Sequence, residues 1–274
     1  MQLTRLFAFT GALQGFVLWW LWHADKFHHW PASDPVAFAG LLYAAIAMPL
    51  ALYWTEDIEG FSTRVRRVTV AGYLVVYALL GAYSAWVADA PPFEFGIRGA
   101  DVLAAIVLGF VSLSLLCGFD FSARRWRYTR LFHYTWRNGI LTATAAAMAG
   151  AVWTVLYAGA ALMGLIKVNW ISELIEEPVF AFPVSGLVVG VAFALGLARA
   201  AMTEAIRRFW LSISSWLLLL ILFFGVMWVA WVPFAGLDAL FRTKSAALIM
   251  LWFTALAVQF SNCAYQDGQI AWPY

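Results

Sequence analysis

The stretch RRWRYTRLFHYTWR at residues 124–137 decides how this chain folds, because it places five of the seventeen Lys and Arg residues between two long apolar blocks. Arginine clusters resist transfer across a lipid bilayer and therefore stay on the cytoplasmic side of a membrane. Once that side is assigned to residues 124–137, the side of every other loop follows from counting apolar blocks outward. The stretch thus predicts how the chain sits in a membrane.

The composition is that of a membrane protein. Hydrophobic residues make up 64% of the chain and charged residues 12%, whereas soluble domains carry about 25% charged residues. The apolar residues come in blocks of about twenty, the length that spans the hydrocarbon core as a helix. Many of the Trp and Tyr residues lie near block ends, as in interfacial aromatic belts. The net charge of +2 argues against a nucleic-acid partner.

Eight apolar blocks predict an all-α fold, a polytopic bundle of about eight transmembrane helices forming one domain over residues 1–274. On a helical wheel, Arg127, Arg130 and Arg137 gather opposite Leu131 and Phe132, which predicts an amphipathic interfacial helix between spans four and five. The predicted spans are residues 6–23, 36–54, 68–88, 101–119, 140–167, 179–202, 209–232 and 246–264.

The basic residues then divide unequally between the two sides. Twelve fall on the cytoplasmic side: Arg5, Arg64, Arg66, Arg67, Arg124, Arg125, Arg127, Arg130, Arg137, Arg199, Arg207 and Arg208. Five fall outside: Lys26, Arg98, Lys167, Arg242 and Lys244. This excess predicts eight spans with both termini in the cytoplasm.

Small residues predict where helices pack closely. Gly11 and Gly15 form a G-x-x-x-G pair in span one, and Gly186 and Gly190 begin a ladder of small residues in span six. A second ladder at residues 143–151 repeats alanine every four positions in span five. We therefore expect spans five and six to form the closest pair, with Gly190 against span five.

The basic segment also predicts a contact surface. If it lies along the membrane, Arg124, Arg127, Arg130 and Arg137 meet anionic lipid headgroups. The alternative is that these arginines bind an acidic protein partner. Other membrane or envelope proteins are therefore expected as partners beside the bilayer itself.

Signatures of catalysis are sparse. His23, His28 and His29 are weak candidate metal ligands beside span one, because their spacing fits no zinc-helix motif. A hydrated loop next to an aromatic belt is the favoured interpretation, and no metal site is predicted. The chain contains no glycine-rich phosphate loop, no G-x-S-x-G and no H-E-x-x-H, so no cofactor is predicted. Cys117 and Cys263 both fall inside predicted spans, which argues against a disulfide framework.

Several short motifs resemble those of one known family. They are Leu13-Gln14-Gly15 with Trp19, Trp30-Pro31-Ala32, Phe132 through Trp136-Arg137-Asn138, Ser214-Ser215-Trp216-Leu217-Leu218, Pro233 through Leu237, and Asn262-Cys263-Ala264-Tyr265-Gln266-Asp267-Gly268. On these motifs the chain resembles the bacterial inner-membrane proteins catalogued as domain of unknown function 4153. The most specific part is Tyr265, Gln266, Asp267 and Gly268. Cys263 departs from the alanine usual there. Typical members are about twice as long, so the resemblance implies either a short relative or the N-terminal half of a typical member. The resemblance implies membrane location and no known reaction.

Three functions remain open. The leading hypothesis is a non-enzymatic membrane subunit or scaffold. The alternative is a transporter or channel for a hydrophobic or lipid-like molecule, and a membrane-embedded enzyme comes third. A polar cavity between helices favours transport, whereas a dry core with large apolar flanks favours a scaffold.

Overall fold

Helices make up almost the whole of the structure. The computed structural model describes residues 2–88, 99–121, 123–165, 170–235 and 246–265. The helices are α1 (Gln2–Lys26), α2 (Pro35–Trp54), α3 (Thr63–Ala88), α4 (Gly99–Gly118), α5 (Tyr128–Leu165), α6 (Trp170–Glu176), α7 (Pro178–Ala198), α8 (Ala200–Ala235) and α9 (Ala246–Tyr265). Two short antiparallel strands, β1 (Phe119–Asp120) and β2 (Arg125–Trp126), lie between α4 and α5. The predicted all-α polytopic fold is confirmed.

Seven of the described helices are long and apolar enough to cross a membrane, namely α2, α3, α4, α5, α7, α8 and α9. The sequence predicts α1 as the first of eight spans, but this helix of 25 residues is not among the seven. Its tryptophans and polar residues, such as Gln14 and His23, lower its average hydropathy.

The chain separates into two compact units, Met1–Ala200 and Ala201–Tyr274, although the sequence suggests one domain. The first unit contains α1 to α7, and the second contains α9 and all but the first residue of α8.

Helices α1 and α7 run antiparallel and touch backbone to backbone. A Cβ atom added to Gly11 would collide with the carbonyl group of Gly186, and one added to Gly190 would collide with that of Phe7. Gly15 lies in the same way against the carbonyl of Phe182. Such close approach strengthens van der Waals contact between helices and requires residues without side chains. The glycines are therefore what allows α1 to lie against α7.

The expectation that spans five and six form the closest pair is wrong. Gly190 on α7 faces Phe7 of α1, whereas a Cβ on Gly150 of α5 would meet open space. Helix α5 contacts α7 through side chains instead: the indole Nε1 of Trp153 donates to the Ser185 hydroxyl at 3.0 Å. Two ladders of small residues predict close approach but do not specify which helix is the partner.

Helices α2, α3 and α4 pack as neighbouring antiparallel helices. Gly81 on α3 lies against the carbonyl of Ala39 on α2. Between α3 and α4, the hydroxyl of Tyr77 donates to the Ala105 carbonyl at 2.7 Å, and that of Tyr73 lies 2.5 Å from the Ser112 hydroxyl. These contacts fix three helices around the cavity described below.

The predicted interfacial helix between spans four and five is also wrong. The β1–β2 ladder pairs Phe119 with Trp126, and Arg124 takes a left-handed backbone conformation (φ 50°) in its turn. Helix α5 then runs unbroken for 38 residues. At 1.5 Å per residue it is about 57 Å long, so its first turns extend beyond a hydrocarbon core about 30 Å thick. The basic segment is a hairpin followed by an extension of span five.

Candidate functional site

The polar interactions of the first unit concentrate at one end, where two arginines of α5 hold the loop that follows α2. Arg137 donates from Nη2 to the Trp54 carbonyl at 2.8 Å, and its Nη1 lies 3.5 Å from the Asp57 carbonyl. Arg130 donates from Nη2 to the Glu59 carbonyl at 2.5 Å. We call Arg130, Arg137 and these three carbonyls the arginine clamp. It joins the start of α5 to residues 54–59.

The clamp begins at the carbonyl end of α2, where Trp54 is the last helical residue and its C=O group has no partner within the helix. The last turn of a helix has C=O groups without intrahelical partners, and the helix dipole makes this end attractive to cations. The loop then turns back through left-handed residues, Asp57 (φ 54°) and Gly60 (φ 83°). Arg66 supports the same end by donating to the Leu52 carbonyl at 3.2 Å and by pairing with Glu56.

Tyr134 lies at the centre of the clamp. Its hydroxyl accepts a hydrogen bond from the Glu59 amide at 3.1 Å. The Arg137 guanidinium lies 4.9 Å from the centre of its ring and the Arg130 guanidinium 5.9 Å, both at cation–π distance. The ring thus orients both arginines towards the loop.

A carboxylate links the clamp to the hairpin. Asp120 on β1 accepts from the Ala123 amide at 3.1 Å and pairs with Arg127 Nε at 3.0 Å. Arg130 Nη1 lies 4.0 Å from the same carboxylate. The Asp120 side chain is 11% exposed, so these contacts are largely shielded from solvent and fix the hairpin against α5.

The hairpin surface itself is basic and aromatic. Arg124, Arg125 and Trp126 are exposed, and the Arg127 side chain is 48% exposed despite its ion pair. Trp126 packs edge-on against Phe119, with ring centroids 5.1 Å apart. The four arginines predicted from the sequence to form one contact surface therefore fall into two groups with different roles. Arg124 and Arg127 lie at the surface, whereas Arg130 and Arg137 bind main-chain carbonyls, because the 54–59 loop covers that face of α5.

The three histidines do not converge on a metal site. Among the residues that the structure describes, no group of three or more His, Cys, Asp or Glu side chains could hold a metal ion. His23 packs against the rings of Trp19 and Phe27, with centroids 5.6 and 4.4 Å away. His28 and His29 are exposed in the turn that follows α1.

A second polar location lies between α2, α3 and α4, where a cavity of about 270 Å³ opens. Asp101, in the first turn of α4, accepts from the Ser84 hydroxyl at 3.0 Å. The buried hydroxyl of Tyr43 makes no hydrogen bond of standard geometry among the described residues. Tyr43 and Ser84 belong to no sequence motif. The signal for them in the sequence is a hydroxyl group within each of spans two and three, together with the acid that opens span four.

The family-like motif is described only in part. Tyr265 is the exposed last residue of α9. Gln266, Asp267 and Gly268 lie outside the described residues.

With its apolar helices in repeated antiparallel contact, the chain is an integral, multi-pass, all-α membrane protein. Comparison with protein-family models, with curated proteins and with solved structures finds no match to this chain. The resemblance to domain of unknown function 4153 therefore stays a prediction.

Proposed function

We propose that this chain is a non-enzymatic membrane subunit or scaffold of the bacterial inner membrane. The observation that carries this proposal is that the arginines at the clamp end bind groups of the protein itself. Arg66, Arg127, Arg130 and Arg137 bind the protein's own carbonyls and carboxylates, which holds chain segments in place. These contacts make the clamp end of the protein rigid, and a rigid surface is what a subunit that docks other proteins needs.

The proposed orientation places the clamp end in the cytoplasm and counts eight crossings. Seven crossings are the apolar helices named above, and α1 adds one more. It lies antiparallel against α7, so the two helices share the same depth in the bilayer. The loop after α2 and the hairpin before α5 lie at one end, as alternate crossings require. The excess of twelve basic residues over five supports the cytoplasm as the side they face.

The exposed hairpin contacts anionic lipid headgroups in this proposal. Arg124 and Arg125 supply positive charge, and Trp126 supplies a ring suited to the interface. An acidic protein partner is the competing occupant, and lipid composition distinguishes the two.

The scaffold role is tested by cross-linking intact cells, purifying the tagged chain in mild detergent and quantifying the captured proteins by mass spectrometry. We expect the same few membrane or envelope proteins in near-stoichiometric amounts, absent when an unrelated tagged membrane protein is expressed at the same level. Recovery of the chain alone would contradict the scaffold role.

A transporter or channel is the second candidate, and the cavity between α2, α3 and α4 is the observation in its favour. Uptake or efflux measured in proteoliposomes distinguishes it from a scaffold.

A further inference from the structure

The cavity between α2, α3 and α4 combines a carboxylate with apolar walls. It measures about 270 Å³, and its lining includes Leu80, Tyr83 and Leu108 beside the polar groups of Tyr43 and Asp101. Small-molecule sites have this character, since a mostly apolar lining binds the body of a ligand and a few polar groups orient it.

The carboxylate retains hydrogen-bonding capacity. An ionised carboxylate has about four acceptor positions, and the hydrogen bond that Asp101 accepts among the described residues comes from Ser84 at 3.0 Å. No ion pair within the described part of the chain includes Asp101. A negative charge beside apolar walls favours a cation as its partner.

Tyr43 supplies a second polar group facing the same space. The residue is 5% exposed, and its hydroxyl makes no hydrogen bond of standard geometry within the described structure, although the Ser84 hydroxyl lies beside it. Buried hydroxyl groups are normally well hydrogen-bonded, so one that makes no bond of standard geometry in a cavity wall leaves an acceptor for a ligand or water. It lies on α2, across from the carboxylate on α4, and the two can therefore hold one polar head.

We propose that this cavity binds a small organic cation, a protonated primary amine with a compact aromatic or apolar body. The ammonium group donates to the Asp101 carboxylate and to the Tyr43 hydroxyl oxygen. The body packs against Leu80 and Leu108, with the Tyr83 ring beside it. This binding site goes beyond the scaffold role and does not depend on it.

The probe is phenethylamine, with phenethyl alcohol as its neutral counterpart, and binding to the purified full-length chain in detergent is measured by isothermal titration calorimetry. We expect saturable binding of the amine and much weaker binding of the alcohol. Asp101→Asn should raise the Kd of the amine about tenfold, because a charge-assisted hydrogen bond is roughly twice as strong as a neutral one. The matched control Asp25→Asn removes a carboxylate at the end of α1 and should leave the Kd unchanged.

A second variant tests the cavity without altering charge. Ala104 is exposed and lines the cavity, so Ala104→Phe should fill the space without disturbing the helix contacts and abolish binding of the amine. Size-exclusion chromatography establishes that each variant is folded. Absence of saturable amine binding, equal binding of amine and alcohol, or an unchanged Kd in either Asp101→Asn or Ala104→Phe would overturn the proposal.

Discussion

Arg137 on α5 donates a hydrogen bond of 2.8 Å from Nη2 to the carbonyl oxygen of Trp54, the last residue of α2. The two residues are 83 positions apart in the chain. Trp54 also donates from its indole Nε1 to the hydroxyl of Thr142, which follows Arg137 along α5, at 3.1 Å. A main-chain acceptor and a side-chain donor of one residue thus fix α2 against α5.

Replacing Arg137 with Gln should destabilise the protein, because Gln is shorter, uncharged and cannot reach both the Trp54 and Asp57 carbonyls. We expect the free energy of unfolding to fall by roughly 2 kcal/mol, in the range for hydrogen bonds to charged groups. Thermal unfolding in detergent provides the measurement. Arg124→Gln removes an exposed arginine of the same segment and should change little. Equal melting temperatures for the two variants would show that the clamp does not contribute to stability.

Alanine substitution should have opposite effects on stability at Gly190, which lies in the α1–α7 contact, and at Gly150 of α5, which does not. Gly190→Ala places a methyl group against the Phe7 carbonyl, so we expect a loss of about 2 kcal/mol, as for other overpacked contacts. Gly150→Ala on α5 meets open space and should stabilise the helix by up to about 1 kcal/mol. Urea or thermal unfolding of the two variants is the test. A Gly190→Ala protein as stable as the Gly150→Ala protein would show that the backbones do not touch.

Much of the fold is predictable from the sequence, because blocks of about twenty apolar residues have one stable form in a bilayer. Which helix packs against a glycine ladder is not predictable, since Gly186 and Gly190 indicate only that the backbone of another helix lies close. The helical wheel likewise separates Arg130 and Arg137 from the apolar face of α5. It cannot show that the 54–59 loop covers them, because that loop is distant in the chain.

The cavity was harder to predict than the helices around it. Asp101 is visible as an acid at the start of a span, but Tyr43 and Ser84 lie on two other helices. Their convergence depends on the register in which α2, α3 and α4 pack. That register follows from contacts such as Gly81 against Ala39, which a single sequence does not encode as a pattern.

The exposed hairpin should respond to lipid charge. Each arginine near an anionic surface contributes about 1 kcal/mol, so replacing Arg124 and Arg125 together with Gln should remove roughly 2 kcal/mol of attraction. We expect hydrogen exchange of residues 119–127 to slow in nanodiscs that contain anionic lipid, and this response to disappear in the double variant. The control variant Lys26→Gln, at the C-terminal end of α1 and on the opposite side of the membrane in the proposed orientation, should retain the response to anionic lipid. Protection that is independent of lipid charge would leave an acidic protein partner as the occupant of the hairpin.

The orientation of the clamp end is tested most directly by single-cysteine labelling of intact cells, in a background in which Cys117 and Cys263 are replaced by alanine. Cysteines at Gln2, Thr63 and Ala123, which are all exposed, should resist an impermeant maleimide applied from the periplasmic side. A cysteine at the exposed Ser33 should react with it, which also tests the crossing of α1. Labelling of Thr63 and Ala123 from the periplasm, with Ser33 protected, would contradict the account.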